Sequence, residues 1–142
     1  MQVKKNGKTY EEKAAHSFEE LLEIVTILRD PEEGCSWDSA QTHQTLKKCL
    51  RDETEEVCQA VDNQDDENLC EELGDVLLQV LTHAEIAKER GAFTFQDIVQ
   101  MLSEKLIRRH PHVFGDEKRP QTPEEALELW RVVKAKEKIL CK

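Results

Sequence analysis

Glycine and proline are scarce in this chain, five and four residues among 142. Few turn formers leave long stretches unpunctuated, and Leu, Glu, Lys, Ala and Gln recur through them. Strands therefore have little material and the composition leans to helix. Long apolar runs are also missing, since none approaches the roughly 20 residues that cross a bilayer. The opening MQVKKNGKTYEEKAAHS has no apolar signal core, so the expected compartment is the cytoplasm and no membrane partner is expected. The cysteines Cys35, Cys49, Cys58, Cys70 and Cys141 are odd in number, widely spaced and free of any Cys-x-x-Cys pair. That pattern favours neither a disulfide framework nor a zinc site and reads as reduced intracellular thiols. Positive charge is short as well: 20 Lys and Arg stand against 30 Asp and Glu, a net charge of −10. A polynucleotide partner is disfavoured, because phosphate contacts need clustered cations. A small phosphorylated ligand stays open, since a divalent cation can bridge an acidic site to an anion.

What is present is helical periodicity. The length suits one domain with its own core, and no solenoid-period repeat or low-complexity run interrupts it. Residues 1–16 are polar and lack a sustained apolar period, so they are expected to be a flexible lead-in to a helical domain over 17–142. Ser17 and Glu20 form a capping-box pattern at the head of a first helix, about 18–29, that stops before Pro31. Residues 29–42, RDPEEGCSWDSAQT, carry loop chemistry. A second helix is expected from about Ser39 to Val61, with Leu46, Leu50, Val57 and Val61 on one stripe. A third, from about Glu67 to Arg90, carries the widest apolar face: Leu69, Leu73, Val76, Leu77, Val80, Leu81, Ala84 and Ala87. Thr94 caps a fourth helix, residues 110–121 read as a long loop, and Thr122, Pro123 and Glu125 open a final helix to about Ile139. The expected fold is an all-α bundle of about five helices.

The second and third helices carry the chemistry. At roughly 100° per residue, Glu53 falls inside the stripe of Leu46, Leu50 and Val57, with Glu56 on its flank one turn later. Glu72 and Asp75 repeat that spacing at the edge of the next apolar stripe, and Gln79 and His83 continue the edge. The short polar break at residues 63–66 favours an antiparallel hairpin, which would bring all four acids together. Four carboxylates at close quarters need either protons or a cation. Magnesium prefers such oxygen ligands and keeps positions for phosphate oxygens and water, which suggests phosphoryl chemistry. Di-iron bundles need Glu-x-x-His pairs, and this sequence has none. His83 by itself reads as a hydrogen-bonded core histidine rather than a ligand.

Cations for a phosphate are on offer too. Lys105 and Arg109 are one turn apart on the fourth helix, and Lys134 follows Trp130 by one turn on the last. Trp37 lies in the loop before the acidic helix, where its face could stack on a base or anchor the loop. His110 and His112 flank Pro111 at a spacing that suits turn-fixing or a phosphate better than zinc.

Five segments now stand in order: LRDPEEGCSWDSAQT, DETEEV, EELGDVLLQVLTHAEIA, EKLIRRHPHVFGD and LELWRVVKAKEK. Over about residues 18–138 the chain closely resembles the MazG nucleoside triphosphate pyrophosphohydrolases. The resemblance implies an all-helical fold that dimerises or assembles further, and hydrolysis of a nucleoside triphosphate to monophosphate and pyrophosphate. It assigns magnesium, with manganese as a substitute, to Glu53, Glu56, Glu72 and Asp75, which are also the catalytic set. It places Lys105, Arg109, Trp130 and Lys134 at substrate-contacting positions, and Trp37 joins them as a substrate-binding candidate on its loop position alone. The sequence departs from the family pattern at Asp52, Glu55 and Ser36, none of which belongs to the four acids. Glu53, by its inward position, is nominated as the base, although ligation of a cation would pull its pKa the other way. The competing expectation is a catalytically idle helical dimer that binds nucleotide or a protein partner. The base, the sugar, the phosphorus attacked, the number of metal ions and the oligomer size are left open.

Overall fold

A computed structural model describes residues 2–5 and 7–140. Two strands, β1 (Gln2–Lys5) and β2 (Lys8–Glu11), precede seven helices among the described residues: α1 (Phe18–Leu28), α2 (Ser36–Ala40), α3 (Leu46–Asp62), α4 (Asp66–Glu89), α5 (Phe95–Arg109), α6 (Pro111–Phe114) and α7 (Pro123–Leu140). They divide into two compact units, Met1–Ala92 and Phe93–Lys142. The five long helices are those expected, so the all-α class holds. Among the described residues, Cys35, Cys49, Cys58 and Cys70 are free thiols, while Cys141 lies outside the described residues. No helix of the described residues is long and apolar enough to cross a membrane.

Three expectations need correction. The lead-in over residues 1–16 contains an antiparallel hairpin, with Val3 opposite Tyr10 and Lys5 opposite Lys8. Its signal was the Asn6-Gly7 dipeptide, and Gly7 takes the positive φ of 78° that such a turn requires. The second long helix begins at Leu46 rather than Ser39. A five-residue helix, α2, comes first and ends at Gln41, whose ψ of 148° is extended. Thr42 and Thr45 then exchange hydrogen bonds between their hydroxyls and each other's backbone N–H groups, a local alternative to helix continuation. Finally, the 110–121 loop contains the one-turn helix α6, which Pro111 opens from its first position instead of merely ending α5.

Caps account for most helix starts. The Ser17 hydroxyl accepts from Glu20 N–H, but the Glu20 carboxylate bonds His16 at 2.7 Å, so only half of the expected capping box forms. Thr94 and Asp97 make the complete box. On α7, Glu125 N–H donates to the Thr122 hydroxyl and the Glu125 carboxylate accepts from Gln121 N–H.

The organising feature of the first unit is the α3–α4 hairpin. Asp65 N–H donates to Ala60 C=O and Gln64 N–H to Val61 C=O, the paired bonds of a Schellman stop. The same two bonds close α4, from Ala92 to Ala87 and from Gly91 to Lys88. Gly91 holds the left-handed position there with φ 73°, whereas Gln64 holds it at φ 53° with a side chain attached. The Asp65 carboxylate then caps α4 through Asn68 N–H, so one tight turn ends one acidic helix and starts the next.

Among the described residues Leu46 and Leu81, each 1% exposed, are the largest fully buried side chains, and Val25, Ala60, Ala84, Ile86 and Ala87 complete the buried apolar set. The apolar face expected along the whole of α4 is buried only toward its C-terminal half, with Leu73, Leu77 and Val80 left exposed. The C-terminal end is tied to α1 through the Arg29–Glu89 ion pair at 2.7 Å.

Gln64→Gly should stabilise the first unit by roughly 0.5–1 kcal/mol, because it removes a Cβ from a left-handed residue. Urea unfolding checks this, and a loss of stability would show that Gln64 makes a compensating contact.

Candidate active site

Helix α3 presents Glu53 and Glu56 one turn apart, and α4 presents Glu72 and Asp75 at the same spacing. Because the helices run antiparallel from a three-residue connection, Glu53 and Glu56 meet Asp75 and Glu72 in reversed order. One carboxylate oxygen from each of the four lies within 4.8 Å of the others. Glu53, Glu72 and Asp75 are half-buried and Glu56 is exposed. The inward phasing expected of Glu53 is therefore shared by the two acids of α4.

Electrostatics make the crowding costly. Glu53 Oε2 and Glu72 Oε2 are buried without a hydrogen-bond partner. Burial pushes the Glu72 carboxyl up from 4.5 to about 7, helped by its hydrogen bond with Glu56 and by the charges of Glu56, Asp75 and Glu53. Glu53 is raised by burial first and by Glu56 next. A carboxyl–carboxyl hydrogen bond requires a proton on one partner, so protons compensate the charge wherever no cation does. Four hard oxygen donors at this spacing suit the coordination shell of a divalent cation, about 4–5 Å across. The donor set and the orphaned oxygens thus fit a hard metal ion. Asp52 is not part of the cluster; its carboxylate binds Lys48 at 2.6 Å.

The other nominated residues are placed as follows. Trp37 sits on α2, 57% exposed, its backbone carbonyl accepting from Gln41 Nε2. In the second unit, Arg109 lies 4.8 Å and Lys134 Nζ 4.9 Å from the centre of the Trp130 ring, so α5 and α7 gather a cationic aromatic cluster. Lys105 is exposed on α5. Arg109 also donates to Glu137 at 3.0 Å, and Arg108 to the same carboxylate at 2.5 Å. Those hydrogen bonds, Arg109 first, hold the Glu137 carboxyl down at about 2. Glu137 was missed in the sequence although it continues the Trp130, Lys134 line on α7. His83 bonds His43, as a core histidine would, and His43 was likewise missed. His110 Nδ1 meets the Leu106 carbonyl at 2.6 Å, the turn-fixing role considered for it, while His112 Nδ1 is buried without a partner.

Comparison with known proteins now adds to this geometry. The family model of the MazG nucleotide pyrophosphohydrolase domain matches residues 41–114. A crystal structure of a mazG-related protein from Thermotoga maritima superposes with a TM-score of 0.63 at 32% identity, covering 80% of this chain and 97% of that one. The chain belongs to the MazG family. It is also 54% identical over 121 residues to the nucleoside triphosphate pyrophosphohydrolase/pyrophosphatase MazG of Thermotoga maritima, covering 85% of this chain and 45% of that protein. With the nucleoside triphosphate pyrophosphohydrolase of Escherichia coli K12 it shares 43% over 123 residues, 87% of this chain and 46% of the relative. The chain thus spans less than half the length of these curated relatives. The MazG match takes in all four acids, Lys105 and Arg109, and stops before Trp130 and Lys134.

The raised carboxyls carry a pH signature. Between about 4.5 and about 7 the folded protein binds a proton at Glu72 that the unfolded chain does not, so this group's stabilisation is present at low pH and lost as pH rises through that window. Thermal melts of chelated protein should show stability falling from pH ~5 to ~7.5, with a shallower fall in Glu72→Gln. Identical slopes would remove Glu72 as the titrating group.

Proposed function

We propose that this protein hydrolyses nucleoside triphosphates to the monophosphate and pyrophosphate, with magnesium, or manganese in its place, held by Glu53, Glu56, Glu72 and Asp75. The observation that carries the reading is the convergence of four hard oxygen donors, two of them with orphaned buried oxygens, in a MazG domain. When bound, the cation would polarise phosphate oxygens and supply an activated water. The chain's own part is to hold four oxygens ready on two helices whose register is fixed by a tight turn. It also gives up the proton held at Glu72 as a cation arrives. Glu53, half-buried beside the other acids, is the nominated base.

Lys105, Arg109, Trp130 and Lys134 contribute nucleotide recognition. The Trp130 ring is already in contact with two cations, and Arg109 is oriented by Glu137, an arrangement that presents guanidinium and ammonium donors of the kind phosphates accept. Trp37, more than half exposed, offers an aromatic face for a base. The exposed Leu73, Leu77 and Val80 on α4 support self-association into a homodimer or larger assembly. Removal of unwanted nucleotides from the cytoplasmic pool is the role that fits such an activity.

A pyrophosphate-release screen across standard and damaged nucleoside triphosphates, with and without magnesium, tests the reading. Glu56→Ala should fold normally, since Glu56 is exposed, yet lose activity by on the order of 10² or more. Turnover that survives chelation, or a fully active Glu56→Ala, would overturn the metal role. Release in no case, with nucleotide still raising the melting temperature, would point to the idle binder.

A further inference from the structure

Outside the acid cluster, the first unit contains a chain of polar contacts that none of the preceding chemistry uses. Arg90, the residue that caps the C-terminal end of α4, donates from Nε to His43 Nε2 at 3.1 Å. His43 Nδ1 meets His83 Nδ1 at 2.8 Å, with the rings parallel to within 3° and their centres 5.1 Å apart. That separation is what an in-plane hydrogen bond leaves between two five-membered rings, so the contact is edge to edge rather than face to face.

These contacts admit a single neutral arrangement. A guanidinium only donates, so His43 Nε2 accepts and carries no hydrogen. His43 must then hold its proton on Nδ1 and donate it to His83 Nδ1, which leaves the His83 hydrogen on Nε2. One added proton breaks the chain wherever it lands. On His83 Nδ1 it sets N–H against N–H; on His43 Nε2 it sets N–H against the Arg90 guanidinium.

The placement of the pair gives the chain a consequence. His43 lies in the segment that turns from α2 into α3, immediately before the helix carrying Glu53 and Glu56, while His83 lies on α4 two turns beyond Asp75. We propose that His43 and His83 form a proton-gated latch that positions the start of α3 against α4 and so holds the two halves of the acid cluster in register.

Neighbouring charges favour the neutral, closed form. Arg90 is the cation at one end. Arg29, from α1, donates to the carbonyls of Asp38 and Gln41 just ahead of His43 and is neutralised by Glu89. Glu85, two residues beyond His83, faces Lys88 at 3.8 Å. Among the described residues no carboxylate bonds either imidazole, so nothing at the pair stabilises a positive charge. Burial first and His43 second lower the His83 pKa from 6.5, in keeping with a neutral His83 in this contact. His43 and His83 are positioning residues in this scheme: neither touches the acids.

The test uses the whole chain, with magnesium present and no nucleotide. Imidazole nitrogen NMR at pH ~7.5 should report His43 protonated at Nδ1 and His83 at Nε2, opposite neutral tautomers in one protein. Lowering the pH to ~5 should raise hydrogen exchange of the amides from Thr42 to Leu46 by about tenfold beyond its intrinsic pH dependence, the factor expected for losing one half-buried hydrogen bond. His83→Asn, which keeps an acceptor in place of Nδ1 and cannot take up the proton, should hold that increase to less than about threefold. Its magnesium affinity should then change less between the two pH values than the wild type's. Equal exchange responses in both proteins, or the same tautomer on both rings, would overturn the latch. These readouts do not depend on catalysis, so the latch and the proposed hydrolysis can fail separately.

Discussion

Like charges at short range repel, and here helix pairing imposes the repulsion. Nothing local to α3 or α4 requires four carboxylates to converge; the antiparallel register does. That register is set by the Schellman stop at Ala60–Asp65, which closes α3, reverses the chain and hands the Asp65 carboxylate to α4 as its cap. A slip of one helical turn, about 5.4 Å, would carry one acid pair past the other and undo the cluster. The strain of a left-handed Gln64, the burial of Leu46 and Leu81, and the His43–His83 contact all act on that one alignment.

The second unit solves the opposite problem. There a single carboxylate, Glu137, gathers Arg108 and Arg109, and the Trp130 ring accepts Arg109 and Lys134 against its π-system. An acid inside a cationic cluster is held ionised, whereas acids among acids are pushed toward protonation; the contrast between Glu137 at about 2 and Glu72 at about 7 records the two environments. Arg109 has its planar fork held by Glu137 and the Trp130 ring, which reduces its side-chain freedom.

Much of this was legible from spacing. The long helices follow from apolar periodicity and from caps at Ser17, Thr94 and Thr122, and the acid pairs follow from matched i, i+3 spacing on two helices with a short break between them. What periodicity does not encode is where a helix is interrupted by side chains competing for the backbone. Thr42 and Thr45 did so, and the second helix began seven residues later than its pattern suggested. The hairpin was missed for a different reason, since a dipeptide turn signal was outweighed by polar composition. Contacts between distant side chains, such as His43 with His83 or Arg29 with Glu89, carry no periodic trace at all. They appear only once the helices are packed. The family resemblance supplied the chemistry that spacing left open, and the relatives confirm the family, although the match covers less than half of each of them.

The shared proton in the acid cluster ties two solution variables together. Any cation that takes the Glu72 oxygens would displace a hydrogen ion that burial has retained near neutrality. Occupancy would then respond to acidity as a competition for the same atoms, strong below the Glu72 titration and fading above it. A heat of binding measured at neutral pH would contain the ionisation enthalpy of whichever buffer receives the proton. On the proposed reading, a divalent cation and a hydrogen ion would therefore be rival ligands of one four-oxygen site.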